Sequence, residues 1–224
     1  ELHENFETEL HEFADAQGLT YDEICTEMRE RYDGYHFTHD SIGMYNPFSV
    51  LNTLKYNVFG NYWFETGTPT YLVELLKKHH YDLHRMAHEE TSADVLNSID
   101  STSDNPIPVI YQSGYLTIKR YDPLTNGYYL GIPNKEVKGG LMENLLPLYT
   151  NLSDGTSLGF AAKFYQALVY GDIDKAMTLM RSYFASIPYP EGGKDVLADM
   201  QKNEYYYETV FYIMLSMMNI AVLT

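Results

Sequence analysis

At 224 residues, with 45% hydrophobic side chains, 22 Tyr and 10 Phe, the chain is long and apolar enough to bury a core, which excludes wholesale disorder. A formal net charge of −16 argues against a nucleic-acid groove spread over the surface, because phosphate binding rests on clustered Lys and Arg. The single cysteine, Cys25, excludes an internal disulfide and suits a reducing, cytoplasmic compartment.

The first residues, ELHENFETEL, carry neither an initiator Met nor a signal peptide and start in mid-helix, so the chain reads as a fragment. Residues 1–40 hold twelve Asp or Glu against Arg29 and Arg31 only, an acidic solvated face. Leu2, Phe6, Leu10 and Phe13 recur at helical spacing, with Gly18 as the C-cap. Thr20 and Glu23 in TYDE form a capping box, Ile24 and Met28 give the buried stripe, and Asp33-Gly34 breaks this second helix. Cys25 sits among the apolar positions as a small core residue.

Asn46 and Pro47 then start a helix over about 46–58, the proline at the position where a missing N–H costs nothing. TGTPTYLVELLKK, residues 66–78, repeats the device at Pro69, with Leu72, Leu75 and Leu76 inward. A polar stretch from about residue 92 leads to the apolar segment IPVIYQSG. YLTIKRY and GYYLGIP, separated by DPLTN, read as a β-hairpin. Helix, Gly-terminated segment, hairpin and a further helix from NKEV is the layout of a winged helix. Residues 158–185 read as a helical hairpin turning at Gly171-Asp172, and a last helix runs from about Leu197. Its apolar run, residues 209–224, is shorter than the roughly 20 residues a membrane span requires and follows Glu204 and Glu208, which favours a buried helix. The expected fold is therefore mainly α with a small β-hairpin.

No phosphate loop, GxGxxG, HExxH, GxSxG or CxxC is present. His36, His39, Asp33 and Asp40 offer acid–base groups, yet YDGYHF reads as an aromatic-flanked glycine turn and YNPFS as a capped helix start. Adjacent His79 and His80 point to different sides of a helix. His84 and His88 share a helical face without a third ligand in sight. Lys119 and Arg120, with Lys135 and Lys138 nearby, make the only local basic cluster, a candidate contact to nucleic-acid phosphates opposed by Asp122 and Glu136.

The segments YDGYHF, YNPFSVLN, YWFETGTPTYLVELL, PIPVIYQSGYLTIKRYD and YYLGIPNKEV, in this order over residues 1–140, resemble the C-terminal half of bacterial AAA-ATPase-like proteins that carry a PD-(D/E)XK nuclease-superfamily domain behind the ATPase. The resemblance implies a helical lid at 1–91, a winged-helix-like unit at 92–150, a helical hairpin at 151–190 and the first helix of an incomplete nuclease-like domain at 191–224. It places the phosphate loop before residue 1 and the nuclease core after residue 224. Hence no cofactor is expected in this segment, while ATP and Mg²⁺ belong to the parent protein, whose upstream ATPase core and downstream nuclease-like core are the partners. TGTP resembles a Gly-x-Pro turn of related ATPases, which would set Gly67, Thr68 and Pro69 against the nucleotide base. Glu204 resembles an acidic residue on the first helix of some of these nucleases, an incomplete metal site by itself. The implied function is a non-catalytic regulatory segment; a nucleic-acid-binding module or a protein-interaction module are the alternatives.

Overall fold

The computed structural model describes residues 2–66, 70–79, 81–98, 105–150, 152, 154–187 and 204–217. It is mainly helical with one small antiparallel sheet, as expected, and divides into two compact units: Glu1–Thr68 with His84–Gly140, and Pro69–Leu83 with Leu141–Thr224. These units interleave along the chain.

In the first unit, α1 (Leu2–Asn5), α2 (Glu7–Gln17) and α3 (Tyr21–Tyr32) bury Leu2, Leu10, Phe13, Ile24, Cys25, Met28 and Tyr32 in one cluster with Val50 and Leu54. Burying such side chains contributes about 1.5–3 kcal/mol each. Gly18 ends α2 in the left-handed region at φ 66°. The Thr20 side chain accepts from the Glu23 N–H while the Glu23 carboxylate accepts from the Thr20 N–H at 2.8 Å, the anticipated capping box. Helix α4 (Pro47–Tyr56) starts at Asn46, whose side chain accepts from the amides of Phe48 and Ser49. A short 3₁₀ turn covers Tyr62–Thr66.

A strand not legible in the sequence, β1 (Glu89–Ser92), precedes α6 (Ala93–Leu96), and IPVIYQ forms α7 (Ile107–Gln112). α5 (Thr70–Lys78) belongs to the second unit. The hairpin consists of β2 (Thr117–Asp122) and β3 (Gly127–Gly131), and β1 pairs with the free edge of β3, giving the order β1-β3-β2. Thr91 lies opposite Tyr128 and Tyr121 opposite Tyr128 on its other side. The β2 register slips between Ile118 and Arg120, so Lys119 is the extra residue of a bulge.

Helix α8 (Lys135–Thr150) gives its first turns to the first unit and the remainder to the second. There α9 (Asp154–Val169) and α10 (Ile173–Ser186) form the expected hairpin, with Gly171 at φ 72° and the Asp172 side chain accepting from the Lys175 amide. Phe160 stacks on Tyr183 at 4.0 Å. The last helix, α11 (Glu204–Met217), donates the Tyr206 hydroxyl to the Tyr149 carbonyl of α8 at 3.0 Å. Among the described residues no helix is long and apolar enough to cross a membrane.

The stretch after α3 is a loop braced on the sheet. Tyr35 and Met44 form an isolated antiparallel bridge, and Thr117 Oγ1 accepts from the His36 amide at 2.7 Å and donates to the His36 carbonyl at 3.1 Å. Gly34 sits at φ 102°, and a Cβ there would lie 2.4 Å from the Pro133 carbonyl oxygen. Gly18 is also left-handed, but a Cβ there meets nothing within 4 Å. Gly34→Ala is therefore expected to cost clearly more than Gly18→Ala, whose penalty is the backbone strain of about 1–2 kcal/mol. Urea unfolding of the two variants checks this; equal losses would mean that the approach to Pro133 constrains nothing.

Candidate functional site

Residues 133–136, which lead into α8, are where the first unit concentrates its buried polar chemistry. Asn134 Oδ1 accepts from the Val137 amide and caps the helix. The Lys135 ammonium bonds Glu27 at 3.3 Å and pairs with Glu30, tying the helix start to α3. Those carboxylates, Glu30 foremost, hold the Lys135 pKa above its usual value.

Glu136 is 1% exposed. Its carboxylate accepts from the Ser49 hydroxyl of α4 at 2.7 and 2.9 Å and from the Trp63 amide at 3.1 Å, with the Tyr62 amide as a further donor. Three donors on one carboxylate would ordinarily lower its pKa, but burial outweighs them and the pKa is raised. The Tyr35 hydroxyl is also buried, and desolvation first, then the Glu136 charge, push its pKa up. Phe64 packs where a side chain on Gly140 would stand: a Cβ there would meet the Phe64 ring at 2.2 Å. The aromatic turn 62–64 is thus clasped from both ends of the first turns of α8.

A second buried junction lies on the same face of α4. Thr53 donates to the Tyr32 hydroxyl at 2.8 Å; that oxygen also accepts from the Gly60 amide at 3.1 Å and donates to the Gly60 carbonyl at 3.0 Å. Ser49 and Thr53 are four apart and wholly buried, so α4 docks through two hydroxyls as well as through Val50 and Leu54. The arrangement holds and positions helices; it presents no accessible nucleophile.

The residues singled out from the sequence fall elsewhere. The Lys119 ammonium folds back to donate to the Pro133 carbonyl at 3.2 Å, and its burial lowers its pKa. The Arg120 guanidinium lies over the Tyr129 ring at 3.8 Å. Both cations of the candidate nucleic-acid contact are engaged within the chain. His36 Nδ1 is 2.9 Å from the Ser41 carbonyl, and His39 pairs with Asp40 at 3.0 Å and packs on Tyr121. They are loop-forming groups at separate points, not an acid–base pair. Asp33 bonds the adjacent Gly34 amide. Cys25 is buried in the core, and burial raises its thiol pKa. Gly67, Thr68 and Pro69 lie outside the described residues, as does the side chain of Glu204. Among the described residues no group of three or more His, Cys, Asp or Glu side chains is placed to hold a metal.

The Glu136 junction was missed in the sequence, where Glu136 counted only as an acid opposing Lys119 and Arg120. A hint was available in the pattern itself: position 136 shares a helix face with Gly140, beside apolar Val137 and Leu141, so it points inward. Its partner Ser49 is 87 residues away and gives no local signal.

Compared with known proteins, the chain is 33% identical over 197 residues to an uncharacterized protein in the vnfD 5′ region of Azotobacter chroococcum mcd 1. The match covers 87% of this chain and 36% of that protein, so the chain spans about a third of this relative's length. No family model and no solved structure matches the chain.

Removing the Glu136 carboxylate strands the Ser49 hydroxyl and the Trp63 amide in a dry interior. Glu136→Ala and Ser49→Ala are each expected to cost about 1–3 kcal/mol by denaturant unfolding, Glu136→Ala the more of the two because it strands more than one donor. The pH dependence follows from the raised pKa. The folded chain keeps that proton to higher pH than the unfolded chain, so the stabilising contribution is complete below the unfolded carboxylate pKa. It is lost as pH rises through the folded value. Wild type should therefore lose stability relative to Glu136→Gln as pH rises from about 4 towards neutrality. A difference that is flat, or that grows with pH, would contradict the raised pKa.

Proposed function

We propose that the chain is a non-catalytic coupling segment of an AAA-ATPase-like protein linked to a PD-(D/E)XK nuclease-like domain, seated between the two cores and cytoplasmic. The observation that supports this best is the use of Glu136. The most enclosed charge of the first unit ties α4 and the 62–64 turn to the start of α8, and α8 itself continues into the second unit. A displacement of α4 would therefore be felt at the start of α8.

The chain path adds to the reading. It passes between the units after residues 68, 83 and 140, so neither unit is one continuous segment. The stretch 31–52, with its Asp and His side chains, serves as the loop and helix start of this assembly, with Tyr32 and Ser49 as its buried anchors. The match to about a third of a longer relative agrees with a segment that works within a larger protein. ATP and Mg²⁺ would then be bound by the parent's upstream core, with any contribution from Gly67, Thr68 and Pro69 secondary.

A second reading, a winged-helix module touching nucleic acid, is favoured by the order β1, α6, α7, β2, β3 with a three-stranded antiparallel sheet. The internal contacts of Lys119 and Arg120 and the net charge weigh against it.

Isothermal titration with ATP and Mg²⁺ separates these readings from an independent enzyme. This chain is expected to show no micromolar binding and no turnover, whereas the parent carrying the upstream phosphate loop binds. Micromolar affinity in the chain alone would defeat the coupling reading. In low-salt gel retardation, duplex DNA is expected to migrate freely; a shift that Lys119→Glu with Arg120→Glu abolishes would favour the winged-helix reading instead.

A further inference from the structure

A groove of about 580 Å³ in the first unit is lined by Gln17, Leu19, Asp22, Glu23, Thr26, Glu27 and Phe59. We propose that it docks a basic amphipathic segment of a partner protein, with a bulky apolar side chain on Leu19 and Phe59 and adjacent Lys or Arg facing Asp22 and Glu23.

The floor is apolar and the wall is acidic, with no basic residue in the lining. Leu19 is 42% exposed although it follows the Gly18 cap, where an apolar residue usually packs back on its helix. Phe59 is held from behind by Phe13 at 4.7 Å, and the Arg31 guanidinium already lies over its ring at 4.9 Å, so this ring accepts a cation within the chain itself.

The acidic wall is one face of α3, where positions 22, 23, 26 and 27 repeat at helical spacing opposite the buried Ile24, Cys25 and Met28. Its groups are not equivalent. Glu27 is committed to Arg31 at 2.6 Å and to Lys135 at 3.3 Å. Glu23 is fixed by the capping box, with one oxygen shared by the Thr20 amide and hydroxyl, and these hydrogen bonds hold its pKa below the usual range. Its other oxygen and the Asp22 carboxylate provide the charge for an incoming cation. The Gln17 side chain donates to the Asn57 carbonyl at 2.8 Å, which sets the far wall beside Phe59. The rim is therefore largely organised before anything binds, which reduces the ordering cost.

Charge also selects the occupant. The twelve acidic residues of positions 1–40 attract a basic segment and steer its approach. The same field repels a nucleic-acid backbone. A second copy of a chain with net charge −16 is repelled likewise. This surface is independent of the coupling role above and does not require the parent's cores.

The test is fluorescence anisotropy with a short labelled peptide in which Leu and Phe alternate with Lys and Arg. One control replaces Leu and Phe by Ser, and another replaces the basic residues by Glu. Leu19→Ser and Asp22→Lys should each weaken binding about tenfold or more while circular dichroism shows both variants folded, Asp22→Lys with a slightly lower unfolding midpoint because it places a cation in the first turn of α3. Both control peptides should fail to bind. The proposal is overturned by an absence of binding at low salt. It is equally overturned if the Ser peptide or the Leu19→Ser protein binds as well as the original, since that describes diffuse charge attraction, or if labelled duplex DNA is preferred.

Discussion

Among the described residues of the first unit, Glu89 and Glu136 are the buried carboxylates, and Glu136 is the one that joins segments far apart in the chain. Glu136 is withdrawn from water and satisfied by groups from two other segments: the Ser49 hydroxyl, and the backbone amides of Trp63 and Tyr62. A carboxylate in such surroundings is tolerable only while its donors stay in place, because each lost hydrogen bond leaves a polar group in a low-dielectric interior. The geometry of α4, of the aromatic turn and of the start of α8 is thus a condition of Glu136 being there at all. Apolar packing by itself would not impose so definite a position, since it is non-directional.

The neighbouring residues extend this logic. Pro133 offers its carbonyl to Lys119 and stands so close to Gly34 that no side chain fits. Asn134 caps the helix, and Lys135 reaches α3. Four consecutive residues therefore draw in the loop after α3, the bulged strand β2, α3 and α4. The bulge at Lys119 acquires a reason here, because an extra residue in β2 is what lets the lysine turn towards Pro133. What looked in the sequence like a basic patch on a wing includes a lysine that, though its residue is exposed, spends its ammonium on the Pro133 carbonyl.

Much of the fold was legible because its signals are local. Thr20 with Glu23, Asn46 with Pro47, the Gly18 cap and Asp172 after Gly171 each announce a helix boundary through a backbone requirement that a few adjacent residues satisfy. The hairpin was likewise readable from β-branched and aromatic runs around DPLTN. Strand β1 was not, because Glu-Glu-Thr-Ser has little strand character of its own and becomes a strand only by pairing with the edge of β3. The Glu136 junction was hidden for the same physical reason, since Ser49 and Thr53 read as ordinary polar helix residues until their distant partners Glu136 and Tyr32 close on them. The histidines of YDGYHFTHD were correctly read as loop residues, because glycine and aromatic turn chemistry already accounted for that stretch.

α4, the 62–64 turn and the start of α8 behave as one cooperative element because Glu136 joins them. Hydrogen–deuterium exchange of the wild-type chain beside Glu136→Ala measures this directly. The variant is expected to lose amide protection at 47–56, 62–66 and 135–140 together, while α9 and α10 keep theirs. Unchanged protection in those three segments, or a loss confined to the residues next to position 136, would contradict it.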